Sequence, residues 1–300
     1  MIYVTLLTQG ILLGGYYALL ACGLSLMFGV MRIINLAHGD LAVLSAFMVW
    51  VVSETLDISP FLALGVVLPV MAVFGWFVQR GMLERTLRAG PLVALLATFG
   101  MSIVIENMLF EIYGADTRSL APLIGDLSFS SLAITSQLNI GHLALLIFLL
   151  AVLLLGGLSL FLKHTPLGRA IRATAEDPDT AELVGINSRA VYGIAAGIAF
   201  ALVGLAGALL AMRATIDPYS GPMQLIFAFE AVVIGGIGSL WGTLVGGIVL
   251  GLAQSVGAHL DPRWFLLSGH LVFLVVLAGR LLLHQFGARG GFRSSIGIGA

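Results

Sequence analysis

The sequence predicts an all-α protein, a polytopic membrane helix bundle of about eight to nine transmembrane segments forming one domain over residues 1–300. Three observations predict it. Of the residues 59% are apolar and only 10% charged, with a mean hydropathy of +1.08, more apolar surface than a water-soluble fold can hide. Apolar runs recur along the whole chain, and a hydrocarbon core of about 30 Å needs roughly 20 residues of helix to cross it. Much of the glycine, 38 residues in all, lies inside those runs rather than between them, the pattern of helices whose backbones approach closely in lipid.

The segments fall at residues 4–30, 41–52, 60–78, 91–113, 140–162, 190–212, 225–237, 243–256 and 264–283. The first has no positive stretch before it and no cleavage-type sequence after it, so it is expected to be retained. Gly10 with Gly14, and Gly193 with Gly197, place small residues four apart on one helical face. Gly238, Gly242 and Gly246 repeat that spacing and predict a helix-packing seam. Residues 225–256 flank a glycine-rich turn and read either as two crossings or as a re-entrant hairpin. Connections are short except for 114–139 and 163–189, so no separate soluble domain is expected.

Basic residues set the orientation, because cytoplasmic loops retain Lys and Arg. With the N-terminus outside and a crossing at each segment, only Arg118, Arg213 and Arg263 of the 14 Lys and Arg residues are outer. Arg32, Arg80, Arg85, Arg88, Lys163, Arg169, Arg172, Arg189, Arg280, Arg289 and Arg293 are inner. That asymmetry assigns loop 163–189 and the C-terminus to the cytoplasm, whichever form 225–256 takes.

Several functions are disfavoured by composition. A formal charge of −1 and a pI near 6.6 give no basic footprint for nucleic acid. One cysteine, Cys22, makes neither an internal disulfide framework nor a Cys-based metal site; no metal site is predicted. No GxxxxGK[ST] phosphate loop is present, and the single lysine, Lys163, lies outside any such context. The chain is therefore not expected to hydrolyse ATP alone, and energy for any transport must come from another subunit or an ion gradient.

The 163–189 loop, KHTPLGRAIRATAEDPDTAELVGINSR, is built to fold. Thr165 can cap a helix opening at Pro166, and Asp177 can cap a second opening at Pro178. Asp179 suits the positive end of that second helix, and Gly185 stands where a left-handed C-terminal residue belongs. Leu183, Val184 and Ile186 then need a partner.

Here a family resemblance becomes explicit. TPLGRAIRATAEDPDTAELVGIN closely resembles the cytoplasmic loop of permeases of branched-chain amino acid ABC importers, IINLAHGDL at residues 33–41 resembles the family's other hallmark, and VVIGGIGSLWGTLVGG at 232–247 looks like its glycine-rich segment near the C-terminus. The blocks occur in family order, and the early NLAHGD makes the chain look like the shorter of two sibling permeases. The resemblance implies a bacterial cytoplasmic (inner) membrane importer working by alternating access. Its other parts would be a second permease subunit, two cytoplasmic ATPase subunits that bind the ATP and Mg, and an extracytoplasmic solute-binding protein. No cofactor is implied in this chain. The ATPase-docking loop maps onto Gly168, Arg169, Arg172, Asp177, Glu182 and Gly185.

Polar groups inside apolar segments are costly in lipid and mark functional positions. Asn35, His38 and Asp40 follow the first segment; Asn35 can cap a break and Asp40 begin the next helix, or the three can line or gate the inner end of a pathway. Glu106, beside Asn107, and Glu230 are further pathway candidates. His142 and His270 read as packing partners. Two other classes fit less well: an intramembrane hydrolase using Ser239 with His270, and an ion-coupled secondary carrier or channel with Glu106 as its coupling group.

Overall fold

The computed structural model describes residues 2–135 and 138–294; the side chains of Arg88, Arg289 and Arg293, counted above, lie outside that description. Its helices are α1 (Ile2–Met31), α2 (His38–Leu56), α3 (Pro60–Val78), which continues through a π turn (Gln79–Leu83) into α4 (Glu84–Ala89), α5 (Pro91–Tyr113), the short α6 (Asp126–Phe129), α7 (His142–His164), α8 (Pro166–Glu176), α9 (Pro178–Leu183), α10 (Ser188–Arg213), α11 (Gly221–Gly235), α12 (Leu240–Leu260) and α13 (Trp264–Ser294). A small antiparallel hairpin, β1 (Ser131–Thr135) with β2 (Leu138–Gly141), stands in the connection read from sequence as loop. Among the described residues eight helices are long and apolar enough to cross a membrane: α1, α2, α3 with its continuation, α5, α7, α10, α12 and α13. The chain is a multi-pass helical membrane protein.

Helix α11 differs from these. Its 15 residues rise only ~22 Å, short of the roughly 30 Å hydrocarbon core. Of the segment 225–256, read from sequence as two crossings or a re-entrant hairpin, α12 is long enough to span and α11 is a shorter arm. The arm begins at Gly221, against the first turn of α2, and ends at Gly235, where Arg280 Nη2 donates to the Ile234 carbonyl (2.8 Å). A cation there offsets the negative end of the helix dipole.

The two most buried helices, α1 and α10, form the centre, while α5, α7 and α13 leave most of their apolar surface open. Lipid tails are as apolar as leucine, so close contact rather than water exclusion holds such a centre together. Glycine supplies that contact. Gly10 and Gly14 of α1 lie against Gly251 and Gly247 of α12, backbone on backbone, and Gly197 of α10 lies against the Ala72 carbonyl of α3. The seam expected along Gly238, Gly242 and Gly246 needs correction. Gly242 and Gly246 do face Gly235 and Ala231 of α11, but Gly238 has φ +81° and belongs to the turn before α12, where it touches Gly29 of α1. A left-handed residue cannot share a helical face with the residues that follow it.

The chain also contains an internal repeat of opposite sense. α1 leads through a break at residues 32–37 into α2 and α3; α10 leads through a break at 214–220 into α11 and α12. α1 packs on α12 and α11 as α10 packs on α3 and α2. Because α1 ends where α10 begins, at the end of the bundle carrying Arg32 and Arg189, the two halves run in opposite directions, as inverted-repeat transporters do. The sequence echoes the repeat: Met31–Arg32 leads into the first break and Gly39 follows it, while Met212–Arg213 and Gly221 bracket the second.

Candidate functional site

The two breaks bring the first turns of α2 and α11 together inside the bundle. Arg32 has φ +56°, which turns the chain sharply after α1 and sends residues 33–37 back along that helix. Asn35 does not cap α2 directly; its Oδ1 accepts from Ala37 N (3.1 Å), closing a local turn, and α2 starts at His38 with no side-chain cap. His38 N also closes locally on the Asn35 carbonyl (3.2 Å), and two further donors are met by other helices. Leu36 N donates to Thr98 Oγ1 of α5 (3.1 Å), and His38 Nε2 donates to the Leu20 carbonyl of α1 (2.8 Å). Leu20 lies about three turns, or ~16 Å, before the end of α1. The break therefore reaches the middle of the bundle rather than its inner end.

Gly39 and Gly221 touch there. A Cβ at Gly39 would fall on the Gly221 carbonyl, and one at Gly221 would fall on the Asp40 carboxylate. Asp40 is 1% exposed. Its Oδ2 accepts from Ser102 Oγ of α5 (2.5 Å), while Oδ1 has no hydrogen-bond partner. Glu106, one turn further along α5, is half-buried and its charge acts on the same carboxyl group. Two carboxylates so close repel each other unless a proton or a cation lies between them. Tyr16 of α1 donates to Gln224 of α11 (2.8 Å), tying the second short helix to the same centre. The arrangement can recognise a small cationic or hydrogen-bonding group where two helix breaks cross.

Glu230 is 3% exposed and meets the ring of His270 from α13, Oε1 to Nδ1 at 2.5 Å. It is therefore inside the bundle, and His270 is its polar partner rather than a packing residue. Ser239 is spent on capping α12 through Gly242 N (3.0 Å), and nothing brings His270 to it.

The loop of residues 163–189 folds as its spacing predicts. Thr165 Oγ1 accepts from Gly168 N (2.9 Å), and Asp177 Oδ1 accepts from Asp179 N (3.0 Å) and Thr180 N (3.1 Å). The Thr180 hydroxyl donates to the same carboxylate, and these bonds hold the Asp177 carboxyl below the ordinary range. Gly185 has φ +87°, and Gly168 packs on the last turn of α7. Arg169 Nη1 and Arg172 Nη2 fold back on the His164 and Lys163 carbonyls (3.2 and 3.4 Å), covering acceptors that a helix end leaves open. Arg189 pairs with Glu84 (3.1 Å). Glu182 is exposed, and beside it Leu183 and Val184 project at 87% and 74% exposure.

Sequence reasoning named Asp40 and Glu106 separately and missed that Ser102 donates to Asp40. It also missed Gln224 and Tyr16. The paired Met–Arg and glycine landmarks of the two breaks were the available signal.

A family model described as branched-chain amino acid transport system, permease component, matches residues 6–277. The chain is similar to the high-affinity branched-chain amino acid transport system permease protein BraD of Pseudomonas aeruginosa, 33% identical over 288 residues, covering 92% of this chain and 93% of that one. It is also similar to LivH of Escherichia coli, which carries the same description, at 30% over 280 residues with 90% and 91% covered. Its likeness to LivM of the same organism is partial, 32% over 137 residues with 43% and 32% covered. No solved structure matches.

Proposed function

The chain belongs to the family of branched-chain amino acid transport permease components, and from that premise we propose that it is the membrane subunit through which an ATP-driven importer moves branched-chain amino acids or related small polar solutes by alternating access. The observation that carries the mechanism is the crossing of two helix breaks at Gly39 and Gly221. Two half-molecules of opposite sense meet there at bare backbone, which supports rocking of one against the other around a central site. Asp40 and Glu106 form the polar wall of the pathway, and Glu106, facing the open side of α5 with Asn107, turns it toward a second permease subunit.

Energy enters at the basic end, which the charge asymmetry assigns to the cytoplasm of a bacterial inner membrane. Two ATPase subunits carrying ATP and Mg dock on loop 163–189, and a solute-binding protein delivers cargo to the other face. Within the loop, Thr165, Asp177, Gly168 and Gly185 give the shape, while Arg169 and Arg172 brace it on α7. Glu182, Leu183 and Val184 make the contact, an apolar knob beside a charge.

The test is uptake by the assembled importer in vesicles, with ATP supplied on the ATPase side and ion gradients collapsed. Sustained uptake is expected. Dependence on a gradient would favour the ion-coupled alternative that the Asp40–Glu106 pair otherwise suits. Leu183→Asp should reduce ATPase co-purification and substrate-stimulated turnover without changing the permease's own melting; unchanged coupling would remove the knob from the docking surface.

A further inference from the structure

At the basic end, α1, α7, α8 and the start of α12 enclose a cavity of about 380 Å³. Lys163 and Arg172 line it, with the hydroxyl-bearing Ser25, Ser159 and Ser239, and no acidic residue does. Neither cation is ion-paired among the described residues. The first turn of α12 forms one wall, and it adds the positive end of a helix dipole to the two cations. The α7 carbonyls that would oppose an anion are already covered by Arg169 and Arg172.

The rest of the lining is apolar, and the cavity's neighbour is lipid. Trp241, half exposed, stands at its edge and packs beside Gly156 of α7. Leu149, Leu153 and Leu160 are exposed and share the helical face of Gly156 by their spacing, so an open apolar stripe runs along α7 past Trp241. A soluble anion would gain nothing from that stripe. An anion attached to acyl chains would use both parts, phosphate in the basic cavity and chains along α7. Basic pockets between membrane helices near the headgroup level bind anionic lipid in this way.

We propose that this cavity binds the phosphate headgroup of an anionic phospholipid, with its chains on the α7 stripe. The bound phosphate would bridge Arg172 of α8 to Lys163 at the end of α7 and to the start of α12, fixing the loop helix against the bundle. The proposal requires only that the chain lies in a membrane and is independent of cargo and of the docking residues proposed above.

The experiment uses the full-length permease in nanodiscs and in detergent. Native mass spectrometry with phosphatidylglycerol should show a retained lipid, and Lys163→Gln with Arg172→Gln should weaken it roughly 30-fold, about fivefold per basic residue. Lys163→Arg with Arg172→Lys keeps both charges and should retain binding. In the unmodified chain, phosphatidylglycerol with brominated acyl chains should quench the emission that Trp241→Phe removes, and brominated phosphatidylcholine should quench it less; this arm needs no charge variant to fold. Equal retention by native and doubly neutralised chains, or equal quenching by the two lipids, would overturn the proposal. So would protection of the native chain's melting by inorganic phosphate as strong as that by phosphatidylglycerol, which would make this a soluble-anion site.

Discussion

The breaks at residues 32–37 and 214–220 each lie between a Met–Arg pair at the end of the long helix and a glycine at the start of the next, and those glycines touch, yet the side chains of the two breaks are used differently. In the second, Ile216 pairs its backbone with Arg118 in both directions (2.8 Å each), while the side chains of residues 217–220 close a local turn. Asp217 accepts from Tyr219 N (2.9 Å) and from Ser220 Oγ (2.6 Å), and Ser220 Oγ in turn accepts from Asp217 N (3.1 Å). The first keeps a local turn at Asn35 but reaches out to other helices as well: the His38 ring to α1, Leu36 N to α5, and Asp40 to α5 through Ser102. A side-chain turn closed on itself, as at 217–220, keeps its shape when the helices around it move. A turn held by neighbours reports their movement, so the first break is the half that senses a change in α1 or α5.

The largest effect should come from removing what the two breaks share. Gly39→Val puts a branched side chain onto the Gly221 carbonyl, and overpacking of this kind costs about 3 kcal/mol. The purified variant should unfold at clearly lower temperature than the native chain or fail to assemble, and normal melting would show that the crossing opens freely. Next comes the contrast itself. Asp40→Asn removes a buried charge-assisted acceptor and should cut uptake roughly 10- to 100-fold while membrane insertion persists, whereas Asp217→Asn should stay within about threefold, since Asn keeps an amide oxygen to accept from Tyr219 N and at most one local hydrogen bond is weakened. Equal losses in both would erase the distinction between the halves.

Ser102→Ala should fall between these, costing about 1.5 kcal/mol of stability for a hydrogen bond to a charged group and lowering uptake less than Asp40→Asn. Its measurement separates the hold on the first break from the carboxylate itself. The smallest effect belongs to another self-closed turn, the Asp177 cap. Asp177→Ala should fray α9, seen as faster amide exchange at Asp179 and Thr180, without shifting global melting. The Asp177 carboxyl is held below its unfolded value, so its contribution is present above the ordinary carboxylate range and is lost only as pH falls through the lowered folded value. Exchange at those two amides should rise in that acid window, and a rise near neutrality would contradict the cap.

Much of this architecture was legible because local chemistry determines it. Membrane-length apolar runs gave the spanning helices, and Thr165, Pro166, Asp177, Pro178 and Gly185 gave the loop, since caps and helix starts act within a few residues. What stayed hidden depends on contacts between distant segments. Asp40 and Ser102 are 62 positions apart and Tyr16 and Gln224 are 208 apart, and no periodicity announces such pairs. The start of α11 was missed for a related reason. Gly221, Pro222 and Gln224 are not apolar, so the run seemed to begin at Leu225, although Pro at the first turn is a helix-start signal. Gly238 was drawn into a seam because spacing alone cannot reveal a positive φ.

The crossing at Gly39 and Gly221 also limits how the chain can vary. In most packed cores an enlarged residue on one element can be offset by a smaller one opposite, so pairs of substitutions can drift together. Across from Gly39 the contact is with main-chain atoms of Gly221 and Leu225, so no side chain is left to shorten there, and across from Gly221 stands the Asp40 carboxylate, which the site cannot give up. Each glycine is constrained on its own account, and a substitution at one has no second-site suppressor at the other. Relief would have to come from shifting a whole helix. Suppressors of a Gly39 substitution are accordingly expected at the ends of α2 and α11 or in their breaks rather than at the point of contact.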